Sequence, residues 1–115
     1  MTEKSENELI AKFEGLHTRT IPNGGFPFTA YYWEGDEYNW FSLPEYDKDW
    51  NSLIRAINKI RGISTKNWTV KKINQYLKLK GHIFQDLTKQ GGAVDVAEVQ
   101  KAVVEFIKWH NQQNP

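Results

Sequence analysis

Ten of the chain's sixteen aromatic residues fall between Phe26 and Trp50: Phe26, Phe28, Tyr31, Tyr32, Trp33, Tyr38, Trp40, Phe41, Tyr46 and Trp50. Side chains alternate across a strand, so the consecutive Tyr31-Tyr32-Trp33 and Trp40-Phe41 put rings on both faces of any sheet they join. Tyr and Trp supply large, rigid contact area with a polar tip, which suits a recognition surface. The same run also suits a sheet covered on both sides, or a contact between two copies of the chain. Acidic Glu34, Asp36 and Glu37 sit inside the run, and Glu45, Asp47 and Asp49 close it. A charged rim around flat aromatics selects a partner, so Trp33, Tyr38 and Trp40 with Glu34, Asp36 and Glu37 are the candidate partner-binding residues. Acidic groups so placed can imitate nucleic-acid phosphates towards a basic protein, or simply cap helices and solvate loops.

A second constellation is basic. Arg55, Lys59, Arg61, Lys66, Lys71, Lys72, Lys78 and Lys80 occur with no acidic residue among them, and Trp68 and Tyr76 are interleaved. Cations beside aromatics are what backbone phosphates and unstacked bases require. Lys71, Lys72, Lys78 and Lys80 are therefore the candidate nucleic-acid contacts. The bland alternative is a solvated face, with Arg55 and Lys59 on the outer side of a helix.

Signals for catalysis are weak. His17, His82 and His110 are scattered, with no metal-ligand spacing, so no metal is expected. Gly24-Gly25 and Gly91-Gly92 lack the longer phosphate-loop motif, and no nucleophile elbow is present. Asp36 with Glu37, or Asp47 with Asp49, are acid and base candidates by type alone. The expectation is a non-enzyme without cofactors.

The elements that would position these residues are legible in part. The 115 residues suit a single domain, 1–115, with short flexible ends at about 1–4 and 112–115. Ser5 with Glu8 resembles a capping box for a first helix that ends at Gly15. From His17 the chain turns β-rich, with a turn at Pro22-Asn23-Gly24-Gly25, strands at Phe26 to Trp33 and Tyr38 to Leu43, and a hairpin loop at Glu34 to Glu37. A second helix, about 48–61, is capped by Asp47 or Asp49 and carries Trp50, Leu53, Ile54, Ile57 and Ile60, with Gly62 as a left-handed stop. Gly91-Gly92 breaks the chain, and a last helix, about 95–111, follows Asp95. Trp50, Ile54, Ile57, Val103, Phe106 and Ile107 are expected in the core. Between Asn67 and Gln90 two readings stand: a capped helix over Thr69 to Lys80 using Val70, Ile73, Tyr76 and Leu77, or strands.

Three segments carry a resemblance. Asn7 to Leu16, Tyr46 to Ile54 and Lys101 to Trp109 look like the small phage and prophage proteins called phage ABA sandwich domains, in the same order and at similar spacing. The resemblance implies an α+β fold, helices on a small antiparallel sheet in the order α-β-β-α-β-β-α, and so favours strands in Asn67 to Gln90. The aromatic segment Phe26 to Phe41 matches none of its motifs.

Charge adds an asymmetry. Residues 1–50 hold ten acidic and four basic side chains, and residues 51–115 hold four acidic and eleven basic. The chain has no cysteine, no apolar run near the ~18 residues of a membrane span, and a charged start, so a cytoplasmic protein is expected, in the host cytoplasm if phage-encoded. The leading reading is a small non-enzymatic phage or prophage-derived binding protein acting on a host or defence macromolecule. The alternatives are a nucleotide or nucleic-acid binder using the basic segment, and an accessory protein that pairs with its own copies.

Overall fold

The computed structural model describes residues 3–87 and 95–113. Among them the order is α1 (Glu3–Glu14), β1 (His17–Ile21), β2 (Phe28–Tyr32), α2 (Trp50–Arg61), α3 (Val70–Leu87) and α4 (Val96–Gln113). The fold is α+β, with four helices and one antiparallel pair of strands.

α4 is the centre. Val99, Val103, Val104, Phe106 and Ile107 are buried along it, a stripe wide enough to meet three helices. α1 brings Ile10 and Ala11, α2 brings Leu53, Ala56, Ile57 and Ile60, and α3 brings Tyr76 and Ile83. Burying each such aliphatic side chain is worth roughly 1.5–3 kcal/mol. An aromatic ladder fastens α3 to α4: Trp68 stands edge-on to Tyr76 at 5.5 Å, Tyr76 to Phe106 at 5.6 Å, and Phe106 to Trp109 at 5.7 Å. The Tyr76 hydroxyl donates to the Ile60 carbonyl at 2.8 Å, tying α3 to the end of α2.

The ends of the helices follow local chemistry. Asp49 caps α2 by accepting from the Asn51 N–H, and Asp95 caps α4 by accepting from Ala97 N–H at 2.9 Å. α1 closes with Gly15 at φ 91°, while the Leu16 N–H reaches back to the Ala11 carbonyl and the Gly15 N–H to Lys12. That is a Schellman ending, which needs a residue tolerant of positive φ.

Several expectations are corrected. The stretch from Val70 to Leu87 is one helix, so among the described residues the strands that the resemblance favours there, and the β-β pair in its element order, are absent. Thr69 Oγ1 accepts from the Lys72 N–H at 3.2 Å, and Tyr76 and Ile83, two turns apart, enter the core. Helical capping and periodicity therefore act together, and no strand partner is on offer. Within that helix Val70 and Leu77 face outward, 74% and 54% exposed, rather than into the core. Tyr38 to Leu43 is not a strand either. It touches β2 at a single bridge, Tyr31 with Phe41. Gly62 has φ −87°, so α2 ends without a left-handed residue, its N–H shared between the Asn58 and Lys59 carbonyls. Ile54 is 40% exposed, leaving Leu53 and Ala56 as the core residues beside it. α1 begins at Glu3, so Ser5 lies inside it rather than capping it. Residues 3–4 and 112–113, expected in flexible ends, belong to α1 and α4, while the rest of both ends and the Gly91-Gly92 break lie outside the described residues.

β1 and β2 form a hairpin around the turn at Asn23 to Phe26, where the Phe26 N–H donates to the Asn23 carbonyl and Gly24 and Gly25 take φ 53° and 94°. His17 to Thr20 are all exposed, whereas Ala30 and Tyr31 of β2 are buried, Tyr31 within the core cluster that the helices share. The hairpin therefore rests on the helical body through β2 and leaves β1 on the outside. The radius of gyration is 15.9 Å, against about 13 Å for a compact chain of this length.

Candidate interaction surface

β2 is where the sheet meets the body. Tyr31 and Ala30 are buried on it, and burial, followed by the charge of Glu8, raises the Tyr31 pKa. Beyond β2 the chain makes two tight turns. The Asp36 N–H donates to the Trp33 carbonyl at 3.0 Å and the Asn39 N–H to the Asp36 carbonyl at 3.1 Å, with Gly35 at φ 84°. Asn39 Nδ2 also donates to Asp36 Oδ1 at 2.6 Å. Such a compact double turn leaves Glu34, Asp36 and Glu37 exposed, and it brings Phe41 back beside Tyr31, with N–H to carbonyl bonds of 2.9 and 2.8 Å in both directions.

The three candidate aromatics separate. Tyr38 is 91% exposed at the outer turn. Trp40 is 42% exposed and leans on Phe28, ring centroids 5.3 Å apart. Trp33 is half-buried, 6.4 Å from the Phe41 ring, with the Arg55 guanidinium 5.1 Å over its own. Trp33 therefore belongs with α2, while Trp40 belongs with the hairpin. Sequence reasoning did not single out Phe26, 80% exposed, and Phe28, 38% exposed. The available signal was the Pro-Asn-Gly-Gly turn just ahead of Phe26, which ends the hairpin there.

A buried polar cluster fixes this segment's return to the body. Glu14, its side chain 2% exposed, accepts from the Tyr46 hydroxyl at 2.5 Å and from Arg55 Nε and Nη2 at 2.9 and 3.0 Å. Burial first, then the bond to Glu14, pushes the Tyr46 pKa far above its usual value. For Arg55 burial acts downward, but the bonds and charge of Glu14 prevail and raise it. Asn7 Nδ2 donates to Asp47 Oδ1 at 2.9 Å, and Gln100 Nε2 reaches Asn7 Oδ1 at 3.5 Å. A carboxylate so enclosed and so fully bonded positions the chain and has no room for a substrate.

The basic candidates do not assemble. At 100° per helical residue, Lys71 and Lys78 lie about 20° apart around α3, while Lys72 lies about 100° and Lys80 about 180° from Lys71. Lys72 Nζ rests 4.2 Å over the Trp68 ring and Lys80 Nζ 5.5 Å over Tyr76. Arg61 covers Phe84 at 5.6 Å. Arg55 and Lys59 are exposed on α2, as expected, and their ends also reach α1, Arg55 to Glu14 and Lys59 to the Phe13 carbonyl. Half of the proposed phosphate track is thus occupied by cation–π contacts.

The histidines stay apart. His17 stacks on Tyr32 at 5.5 Å. His110 lies between Phe106 and Phe13, and burial, then Lys72 and Lys59, lowers its pKa. His82 lines an open cavity of about 400 Å³ between α3 and α4 with Glu98, Lys101 and Glu105. No group of three or more His, Cys, Asp or Glu among the described residues is placed to hold a metal, and no helix among them is long and apolar enough to cross a membrane.

No family model, curated protein or solved structure matches the chain.

Proposed function

We propose that this chain is a small non-enzymatic binding protein that meets a macromolecular partner through the exposed aromatics along its hairpin and the turns that follow it. The observation that carries the reading is the exposure of Tyr38 and Phe26, 91% and 80%, at the turns on either end of β2, with the half-open Phe28–Trp40 pair on the same hairpin. Large aromatics left in water cost solvation that a partner's surface would recover. The exposed Glu34, Asp36 and Glu37 share the double turn with Tyr38 and favour a partner with a basic surface. The likeness to phage proteins adds the origin, phage or prophage, and makes that partner a host macromolecule, a defence component among the choices.

The test is a triple variant, Phe26→Ala with Tyr38→Ala and Trp40→Ala. Its unfolding midpoint should stay close to that of the unaltered protein, since most of the removed surface is already in water, while capture of a specific protein from bacterial lysate should disappear. Light scattering on both proteins separates self-association from partner binding. If the variant captures and associates as the parent does, the aromatic surface is not the binding site.

A further inference from the structure

The edge of the sheet formed by β1 is open, whereas the β2 edge is bridged at Tyr31. In an antiparallel ladder, successive residues of a strand direct their N–H and C=O alternately to one side and the other. Tyr31 exchanges both of its backbone bonds with Phe41, and its neighbour on β1 is Thr18. Thr18 and Tyr31 are therefore a pair without mutual hydrogen bonds, and His17, Arg19 and Ile21 carry the bonds to β2. The N–H and C=O of Thr18 and Thr20 then point away from the sheet, and among the described residues none of those groups has a backbone partner. Both residues are exposed.

This edge opens beside a groove. Two adjoining hollows make it: Lys4 and Glu8 of α1 line one with Thr18, Thr20, Tyr31 and Leu43, and Glu8 and Lys12 line the other with Leu16, Thr18 and Tyr31. An extended segment laid on β1 would send alternate side chains into that groove. Its intervening side chain would lie opposite Arg19 on the other face. Arg19 is exposed and makes no ion pair among the described residues.

We infer that β1 is a docking edge for an extended segment of a partner protein, added as a further antiparallel or parallel strand, with an acidic side chain opposite Arg19. The inference goes beyond the aromatic surface to different residues and shares with it only the reading of the chain as a binding protein. A second copy is the poorer occupant. Pairing β1 with itself so that Thr18 meets Thr20 sets Arg19 against Arg19, and like charges directly opposite destabilise a sheet. A charged residue on an exposed edge strand acts against self-pairing in the same way, whereas a carboxylate there turns the repulsion into attraction. Main-chain bonds supply the affinity in this mode of recognition and the alternate side chains supply the choice of partner.

The experiment uses the full chain, labelled with nitrogen-15, and three short peptides: acetyl-Val-Thr-Glu-Thr-Val-amide, the same peptide with Lys for Glu, and the Glu peptide with both Thr nitrogens methylated. The Glu peptide should slow hydrogen exchange at the Thr18 and Thr20 amides by roughly tenfold or more, and the methylated peptide should not. Arg19→Glu, a change on an exposed side chain whose fold is read from the same spectra, should shift the preference from the Glu to the Lys peptide by roughly fivefold. The Phe26, Tyr38 and Trp40 triple variant should still protect both amides, which separates this edge from the aromatic site. Unchanged exchange with every peptide, equal protection by the Glu and Lys peptides, or protection that follows protein concentration instead of peptide would each overturn the inference, the last by giving the edge to a second copy.

Discussion

His110 shows how one side chain's surroundings become a property of the whole fold. It stacks on Phe106 and meets Phe13 edge-on, and burial, with Lys72 and Lys59 adding repulsion, lowers its pKa from 6.5. The folded chain thus resists the proton more than the unfolded chain does. Stability from this residue is complete above pH 6.5 and is lost as the pH falls below it towards the folded pKa. Denaturant unfolding at a series of pH values from 7.5 down to 5 should show that loss, and His110→Gln should flatten it; equal slopes would mean that the ring titrates normally. The sequence offered no hint of this, because His110 came as the end of a helix stripe with no view of what faces it. Glu14 was equally hidden: its partners Tyr46 and Arg55 are 32 and 41 residues away, and long-range polar pairing leaves no local pattern. Exposed Glu34, Asp36 and Glu37 were easier, since a Gly-centred acidic loop has few other places to go.

Among the elements, α1, α2 and α4 were legible because each joins an apolar stripe to a capping residue or a stop. α3 was legible by the same rule, in Thr69 and the spacing of Ile73 and Tyr76, whereas a likeness of hydrophobic faces elsewhere in the chain carries no information on whether this stretch is helix or strand. The supposed strand at Tyr38 to Leu43 failed for another reason: alternating aromatics have strand propensity, but the double turn at Trp33 to Asn39 leaves room for one bridge only. Two glycines test how well the elements are now understood. Gly81 lies inside α3, with nothing within 4 Å of where a Cβ would stand, so Gly81→Ala should stabilise the protein by about 0.5–1 kcal/mol. Gly15 ends α1 at φ 91°, so Gly15→Ala should cost about 1–2 kcal/mol although space is available there. Urea unfolding of both variants reads the two signs, and a loss at Gly81 would mean that this turn of α3 does not hold as a regular helix.

At the scale of the molecule, the acidic first half and the basic second half are drawn into one body rather than left as two poles. Arg55 is spent on Glu14, Lys59 on the Phe13 carbonyl, and Lys72, Lys80 and Arg61 on aromatic faces. What the sequence presented as a run of eight cations becomes, on α3, a line of two, Lys71 and Lys78. A nucleic acid laid along that line would release few counterions, so the logarithm of its affinity should fall against the logarithm of salt with a slope of roughly −1 to −2. Fluorescence anisotropy with a labelled single-stranded oligonucleotide, from low to physiological salt, should therefore find weak binding that fades by the upper end of the range. Neutralising Lys71, Lys72, Lys78 and Lys80 together to Gln should change little more than neutralising Lys71 and Lys78 alone, because the other two already rest on Trp68 and Tyr76. Sub-micromolar binding at physiological salt that the quadruple variant abolishes and the double variant only weakens would show that Lys72 and Lys80 leave their rings to meet phosphate, and would move the function from protein recognition to nucleic acid.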